Sequence, residues 1–366
     1  GEINWQAQGQ TAASNTVCNT TAPTNSKVSF VYDSLGSERY IRYGDSTPSR
    51  TFTRDHNGNI KSIVGEGFSQ SYNYNSLNLL EDETLSIAGR TGSLTFDYNY
   101  NSLSNLSSLK YPDGSKPVKF APNAFGQPTK AMRHYSDKDA DVFVYGNSAD
   151  GIRKARYYPN GSIKRFVYGN GIVHLTRLND RQIPRQITDQ LGSTDIVNLS
   201  YTYDDNNNIK SLINTRDSGL YSLTDLTYDG LDRLLSTTGG SGIGSSEITY
   251  DGLGNIQTYS NDSIFNPSDL TYSYKTNLLL NDVKTTGTNT KIRDFSSSNS
   301  YDARGNVKSN GNSKGVNTFN YNLANQMTSA GGNSYVYDGY NRRVKTQDSK
   351  GTSYSFYSQA GKLLYR

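Results

Sequence analysis

The chain has 366 residues, is 33% hydrophobic and carries a formal net charge of +4. Its 29 tyrosines and 34 glycines exclude the aromatic-poor, strongly charged composition of a disordered chain. No apolar run is long enough for a transmembrane helix.

Lys and Arg are spread along the chain rather than gathered on one segment, which argues against a nucleic-acid partner. The single cysteine, Cys18, cannot form an internal disulfide or a cysteine-based zinc site. The first residues, Gly1-Glu2-Ile3-Asn4-Trp5, lack the basic and apolar regions of a signal peptide. A mature or excised segment would look the same.

In chain order, residues 1–27 form a polar stretch. From residue 28 one phrase recurs: an alternating apolar run, a Tyr-Asp pair, a turn and an aliphatic residue. The first copy is Phe30-Val31-Tyr32-Asp33-Ser34-Leu35-Gly36, and less regular copies follow at 54–60, 72–80, 96–106, 120–128 and 157–163. Beyond residue 190 the copies are cleaner. They contain Tyr203-Asp204, Tyr228-Asp229-Gly230-Leu231-Asp232-Arg233-Leu234 and Tyr250-Asp251-Gly252-Leu253-Gly254-Asn255-Ile256. Two more are Tyr301-Asp302-Ala303-Arg304-Gly305-Asn306-Val307 and Tyr337-Asp338-Gly339-Tyr340-Asn341-Arg342-Arg343-Val344.

Repetition of this kind decides the architecture before any other feature. The alternation before Tyr-Asp suits a half-buried strand. The Asp can accept backbone N–H groups ahead of it, and the Gly or Asn that follows supplies a positive φ. The aliphatic residue (Ile60, Ile209, Leu234, Ile256, Val307) starts the return strand. Each copy therefore reads as a β-hairpin, and the fold class is all-β and antiparallel. A lone hairpin cannot bury its face, so neighbours must stack. The low apolar content fits a sheet whose inner face lines a wet space better than a filled sandwich. The tyrosines of the clean copies are expected to lie buried between neighbouring strands. The first and last strands need a cover, which a neighbouring chain, the remainder of a parent polypeptide, or residues 1–26 folding back would supply.

On these residues the chain resembles the Rhs/YD-repeat family, over roughly residues 28–366. The resemblance implies a sheet strip that spirals into a hollow β-shell. In bacterial Rhs proteins and insecticidal toxin complexes such a shell encloses a C-terminal toxin; teneurins use a similar barrel at the cell surface. No Asp-Pro is present, so the family's self-cleavage residues cannot be carried over. The expected organisation is a polar segment at 1–27 and a shell segment at 28–366, with degenerate repeats to residue 190 and cleaner ones from 191. The chain then reads as a piece of a larger or processed shell protein, secreted or at the cell surface. Its partners would be the rest of the parent polypeptide and an enclosed cargo, and no cofactor is implied.

Other patterns have plainer readings. Gly311-Asn312-Ser313-Lys314-Gly315 matches a nucleophile elbow, but lies between two strand patterns with no helix following, and reads as a turn. Asp55-His56-Asn57-Gly58-Asn59 with Glu66, and Asp204-Asp205-Asn206-Asn207-Asn208, superficially resemble calcium loops; both fit the repeat turn. The run Gly239-Gly240-Ser241-Gly242-Ile243-Gly244 lacks the Lys of a phosphate loop and reads as a flexible outer loop. His134 with Tyr135, or His174 near Arg177, could be imagined as the acid and base of a polysaccharide lyase. Tyrosine faces could also stack on sugars. The leading expectation is a non-catalytic shell segment. The second is a secreted or surface module recognising glycans or a protein receptor, and the third is a lyase.

Overall fold

A computed structural model describes residues 3, 5–7, 24–135, 138–141, 155–217, 219–264, 267–312 and 315–366. Among these residues there is no α-helix, only strands, turns and two three-residue 3-10 turns at Thr24–Ser26 and Thr215–Asp217. Strands pair with their chain neighbours throughout. One sheet runs from Trp5–Ala7 to Lys138–Asp141 and a second from Arg156–Tyr157 to Gly351–Tyr354. Phe356–Tyr357 and Leu363–Tyr365 form a final pair, and no sheet closes on itself. The all-β antiparallel class is therefore observed.

Each hairpin has one register. Thr227 pairs with Ser236 but Tyr228 pairs with Leu234; Thr249 pairs with Thr258 but Tyr250 with Ile256. The return strand thus carries one extra residue beside the tyrosine, a β-bulge that tightens the local twist. One rung further on, polar side chains bond across the hairpin, always nine residues apart. Thr53 meets Ser62, Thr202 meets Ser211, Thr227 meets Ser236 and Thr249 meets Thr258, at 2.6–2.7 Å. These cross-strand pairs hold the polar face of the sheet.

The chain divides into two compact units, one of residues 1–99, 109–115 and 294–366, the other of residues 100–108 and 116–293. In the first unit, Trp5–Ala7 pairs with Lys27–Tyr32 through Trp5 and Ser29, so part of the polar N-terminal stretch does fold back as an edge cover. Its core is Ile63, Phe68 and Tyr72, with Phe52, Ile60, Tyr74, Leu80 and Tyr340 packed around them. Phe96, fully buried, meets Tyr111 edge-on at 5.1 Å and Phe356 at 4.4 Å. Residues before 100 and after 320 thereby form two layers over one apolar core.

The second unit has a thinner core. Phe166, Val167 and Val283 are buried, while Thr237 and Ser246 bury a hydroxyl pair at 2.8 Å. Its Gly239–Gly244 run is not the flexible loop expected from its composition. A Cβ on Gly239 would stand 2.0 Å from the Gly244 carbonyl oxygen, and one on Gly244 would stand 2.2 Å from the Ser263 nitrogen. Close backbone approach, not mobility, selects these glycines.

Candidate functional site: the tyrosine-aspartate turn

The turn after each tyrosine is one structure repeated. At Asp251 the backbone N–H donates to the Asn255 carbonyl and the Gly254 N–H donates to the Asp251 carbonyl. The Asp251 Oδ1 accepts the Leu253 and Asn255 amides at 2.9 and 2.8 Å, and its Oδ2 accepts Asn255 Nδ2 at 2.9 Å. Asp33, Asp229, Asp302 and Asp338 accept the amides two and four residues on in the same way. Asp204 accepts the fourth amide, from Asn208, at 2.8 Å. Asparagine does the same work at Asn75, Asn101, Asn123, Asn179 and Asn322. The fourth residue closes the box with its side chain at Asn208, Arg233, Asn306 and Arg342.

Those bonds favour the ionised acid. The Asn255 side chain holds the Asp251 carboxyl below its ordinary value, and the Arg233 side chain does so at Asp229. At Asp33 the Ser37 amide is the main cause.

The residue with positive φ is the third after the acid, not the one directly following as the phrase suggests. It is Gly36, Asn207, Asp232, Gly254, Gly305 and Asn341 in the six clean turns, with φ between 58° and 89°. Gly230, Gly252 and Gly339, directly after the acid, are not in the left-handed region. Where the third residue is Asn or Asp, its side-chain oxygen accepts a donor from the preceding turn. Asn59 donates to Asn78 at 2.5 Å, Asn208 to Asp232 at 2.7 Å, Asn306 to Asn325 at 2.9 Å and Gln326 to Asn341 at 2.8 Å. These turns are thereby each tied to the one before along the sheet edge.

The tyrosines of the clean copies, Tyr228, Tyr250, Tyr301 and Tyr337, are half-buried rather than buried. Tyr228 donates to the Ile209 carbonyl at 2.8 Å, Tyr250 to Leu234 at 2.9 Å and Tyr337 to Met327 at 2.9 Å. Tyr203 donates to Pro184 at 2.6 Å and Tyr32 to Ile3 at 3.0 Å. Ile209, Leu234 and Met327 each open the return strand of the previous hairpin. Tyr301 bridges to Val307, and its ring lies 5.7 Å from that of Phe295.

Four of the five amides in a turn are spent by the turn itself; the amide of the first residue after the acid is not. In the first unit three consecutive turns spend it on the opposing layer. The Leu323 amide donates to Thr47 Oγ1 at 2.8 Å, the Gly339 amide to Gln70 Oε1 at 3.0 Å and the Gln359 amide to Glu83 Oε2 at 2.7 Å. Around the middle turn, Arg50 donates to the Gly339 carbonyl at 3.1 Å and Asn341 Oδ1 at 2.5 Å. A Cβ on Gly339 would lie 2.4 Å from Ile63 Cγ2, so only glycine permits the approach. Glu83, 1% exposed, also accepts the Tyr98 hydroxyl, and burial pushes its carboxyl above the ordinary value. Sequence reasoning missed this seam.

The catalytic candidates fare differently. His174 and Arg177 stand three apart on the strand Val173–Leu178 and so face opposite sides of the sheet. His174 instead bonds Asp189 at 2.7 Å and Thr176 at 3.1 Å and stacks on Phe166, with Thr176 only 8% exposed. That is a part-buried polar chain whose ring nitrogens are both taken up within the sheet. The strand residue His134 pairs with Asp139 through its backbone. Ser313 and Lys314 lie outside the described residues; flanking them, Asn312 pairs with Gly315 across a hairpin. Both carboxylate oxygens of Asp55 are taken up by Asn57 and Asn59. Among the described residues no cluster of three metal-ligating side chains occurs, and no helix is long and apolar enough to cross a membrane. A groove of ≈ 920 Å³ in the second unit is lined by Thr238, Ser245, Glu247, Asp262 and Asp269 together with Pro267, Leu270 and Ile292, and by no tyrosine.

No family model matches the sequence, and no curated protein matches it. Solved structures do. The chain superposes on TcdB2-TccC3 with a TM-score of 0.68 at 16% identity, over 93% of this chain and 20% of that one. TcdB2-TccC3 without its hypervariable C-terminal region gives 0.68 at 15%, over 93% and 19%. A Photorhabdus luminescens Tc holotoxin pore gives 0.56 at 15%, over 90% and 21%. The chain thus spans about a fifth of the length of each. In its repeated phrase and in its fold alike, the chain resembles the Rhs/YD-repeat proteins of the insecticidal toxin complexes.

Proposed function

We propose that residues 28–366 are a wall segment of a hollow β-shell that encloses a polypeptide cargo and has no catalysis of its own. The observation that carries this reading is the repeated turn, tied to the turn before it wherever its third residue is Asn or Asp. Such a strip grows one hairpin at a time and needs an apolar core only where two layers meet, which suits a wall and a chain only 33% hydrophobic. The likeness to TcdB2-TccC3 in fold supports it. The reading implies a protein that acts outside the cell or on its surface, with the rest of the shell and its cargo as partners.

The test is electron microscopy of the native polypeptide. A particle with an enclosed cavity and this segment in its wall is the expected result. A solid particle, or an open rod, would overturn it.

A further inference from the structure

Three turns of this chain share the phrase Tyr-Asp-Gly followed by a large apolar residue: Tyr228 to Leu231, Tyr250 to Leu253 and Tyr337 to Tyr340. Only the last is docked. There the glycine touches Ile63, its amide is received by Gln70, and Tyr340 packs on the Ile63, Phe68 and Tyr72 core. In the second unit the same positions are bare. A Cβ on Gly230 or Gly252 would meet nothing within 4 Å, and Leu231 and Leu253 are 75% and 71% exposed. The leucine on the next turn, Leu278, is 56% exposed.

Glycine at 230 and 252 has no explanation inside this chain. Neither residue has a positive φ and neither is crowded, so each costs backbone entropy without a local return. The docked turn supplies the missing reason. A glycine directly after the acid lets an opposing sheet come within contact of the turn, and the apolar residue beyond it fills a seat in that sheet. The apices at Asn160, Arg181 and Asn206 are polar and are spent on neighbouring turns, while Leu35, Leu77, Leu103 and Phe125 are apolar apices exposed as well. What sets the turns at 230 and 252 apart among the apolar apices is the glycine before the apex, which they share with the docked turn alone.

We propose that Gly230 with Leu231, and Gly252 with Leu253, are two seats of a docking edge for a second strip of the same repeat. That strip presents apolar positions flanked by Gln, Glu or Thr acceptors, as the layer around Gln70 does for Gly339. Two or three leucines cover far less than the roughly 1,200 Å² of a stable interface between free proteins. The partner strip is therefore one tethered in the same polypeptide, where effective concentration replaces area. The inference rests on the shell reading, since it needs repeats beyond these 366 residues.

The test compares the 366-residue chain with the native polypeptide, both with Cys18→Ser. Leu253→Cys, and separately Leu231→Cys, is labelled with N-ethylmaleimide. Labelling is expected to be at least tenfold slower in the native polypeptide. Asn206→Cys should label at similar rates in both; equal slowing there would mean bulk cover rather than a seat, and overturns the proposal. In parallel, Gly252→Ala should leave the melting temperature of the 366-residue chain unchanged or raised, while Gly339→Ala lowers it. In the native polypeptide Gly252→Ala should lower it as well. Unslowed labelling in a native polypeptide that carries further repeats removes the docking edge and leaves the shell reading standing. A native polypeptide without further repeats removes both.

Discussion

Glu83 and the turn aspartates respond to pH in opposite senses. Burial holds the Glu83 proton above the ordinary value of 4.5, and its oxygens are met by the Tyr98 hydroxyl and the Gln359 amide. An unfolded Glu ionises near 4.5 while the folded one stays neutral, so its contribution to stability falls as pH rises from there. Asp229 and Asp251 have folded values below the ordinary 3.8, so their contribution is present above that pH and is lost as pH drops through the folded value. Urea midpoints between pH 4 and 8 should show Glu83→Gln flattening the decline on the upper side. An unchanged profile would refute the assignment. Asp338, 1% exposed and 2.7 Å from Arg342, is a harsher case. Asp338→Ala strands a buried guanidinium and should cost about 3–5 kcal/mol. Asp338→Asn keeps the acceptor for the turn amides and should cost less, as the Asn322 turn indicates. Chemical denaturation of both variants measures the difference.

At the scale of the hairpin, much was legible. Alternation before Tyr-Asp marks the outgoing strand, and the aliphatic residue at Ile209, Leu234 or Ile256 does begin the return. The left-handed position was misplaced because Gly230, Gly252 and Gly339 draw attention to the residue after the acid. The true position is filled by Asn, Asp, Ser, Gln and Leu as well as Gly, so composition does not mark it. Tyrosine burial was overstated for a related reason: the hydroxyl is anchored to a carbonyl at the sheet surface. Tyr228→Phe removes only that bond to Ile209 and should cost roughly 0.5–1.5 kcal/mol. Thermal melts showing a loss several times larger would mean the ring is more deeply seated than its half-exposed surface indicates.

Across the whole molecule, the seam of the first unit was not legible. Gln70 and Gly339 are 269 residues apart, and Glu83 and Gln359 are 276 apart. No local phrase announces such a pairing, and Gln70, Thr47 and Glu83 share no residue type. What they share is a place opposite an amide that the turn leaves over. Phe96, fully buried between Tyr111 and Phe356, holds the same two layers together. Phe96→Ala should cost about 3–5 kcal/mol. Hydrogen exchange should show amides of the segments 94–100 and 356–365 losing protection together. Loss confined to one of them would show that the layers are energetically separate.

The rigid turn and the pliable opposite end of each hairpin have a consequence for descent. Tyrosine hydroxyls reach carbonyls 10, 14, 16, 18 or 19 residues back, at Tyr337, Tyr74, Tyr250, Tyr274 and Tyr228, without any change in the bond they make. Length is absorbed entirely at the far end, as in the packed glycine run before Gly244. Insertions, deletions and duplications there leave the tied edge in step. A lineage can therefore lengthen or trim such a chain by unequal crossing-over and still inherit a foldable protein.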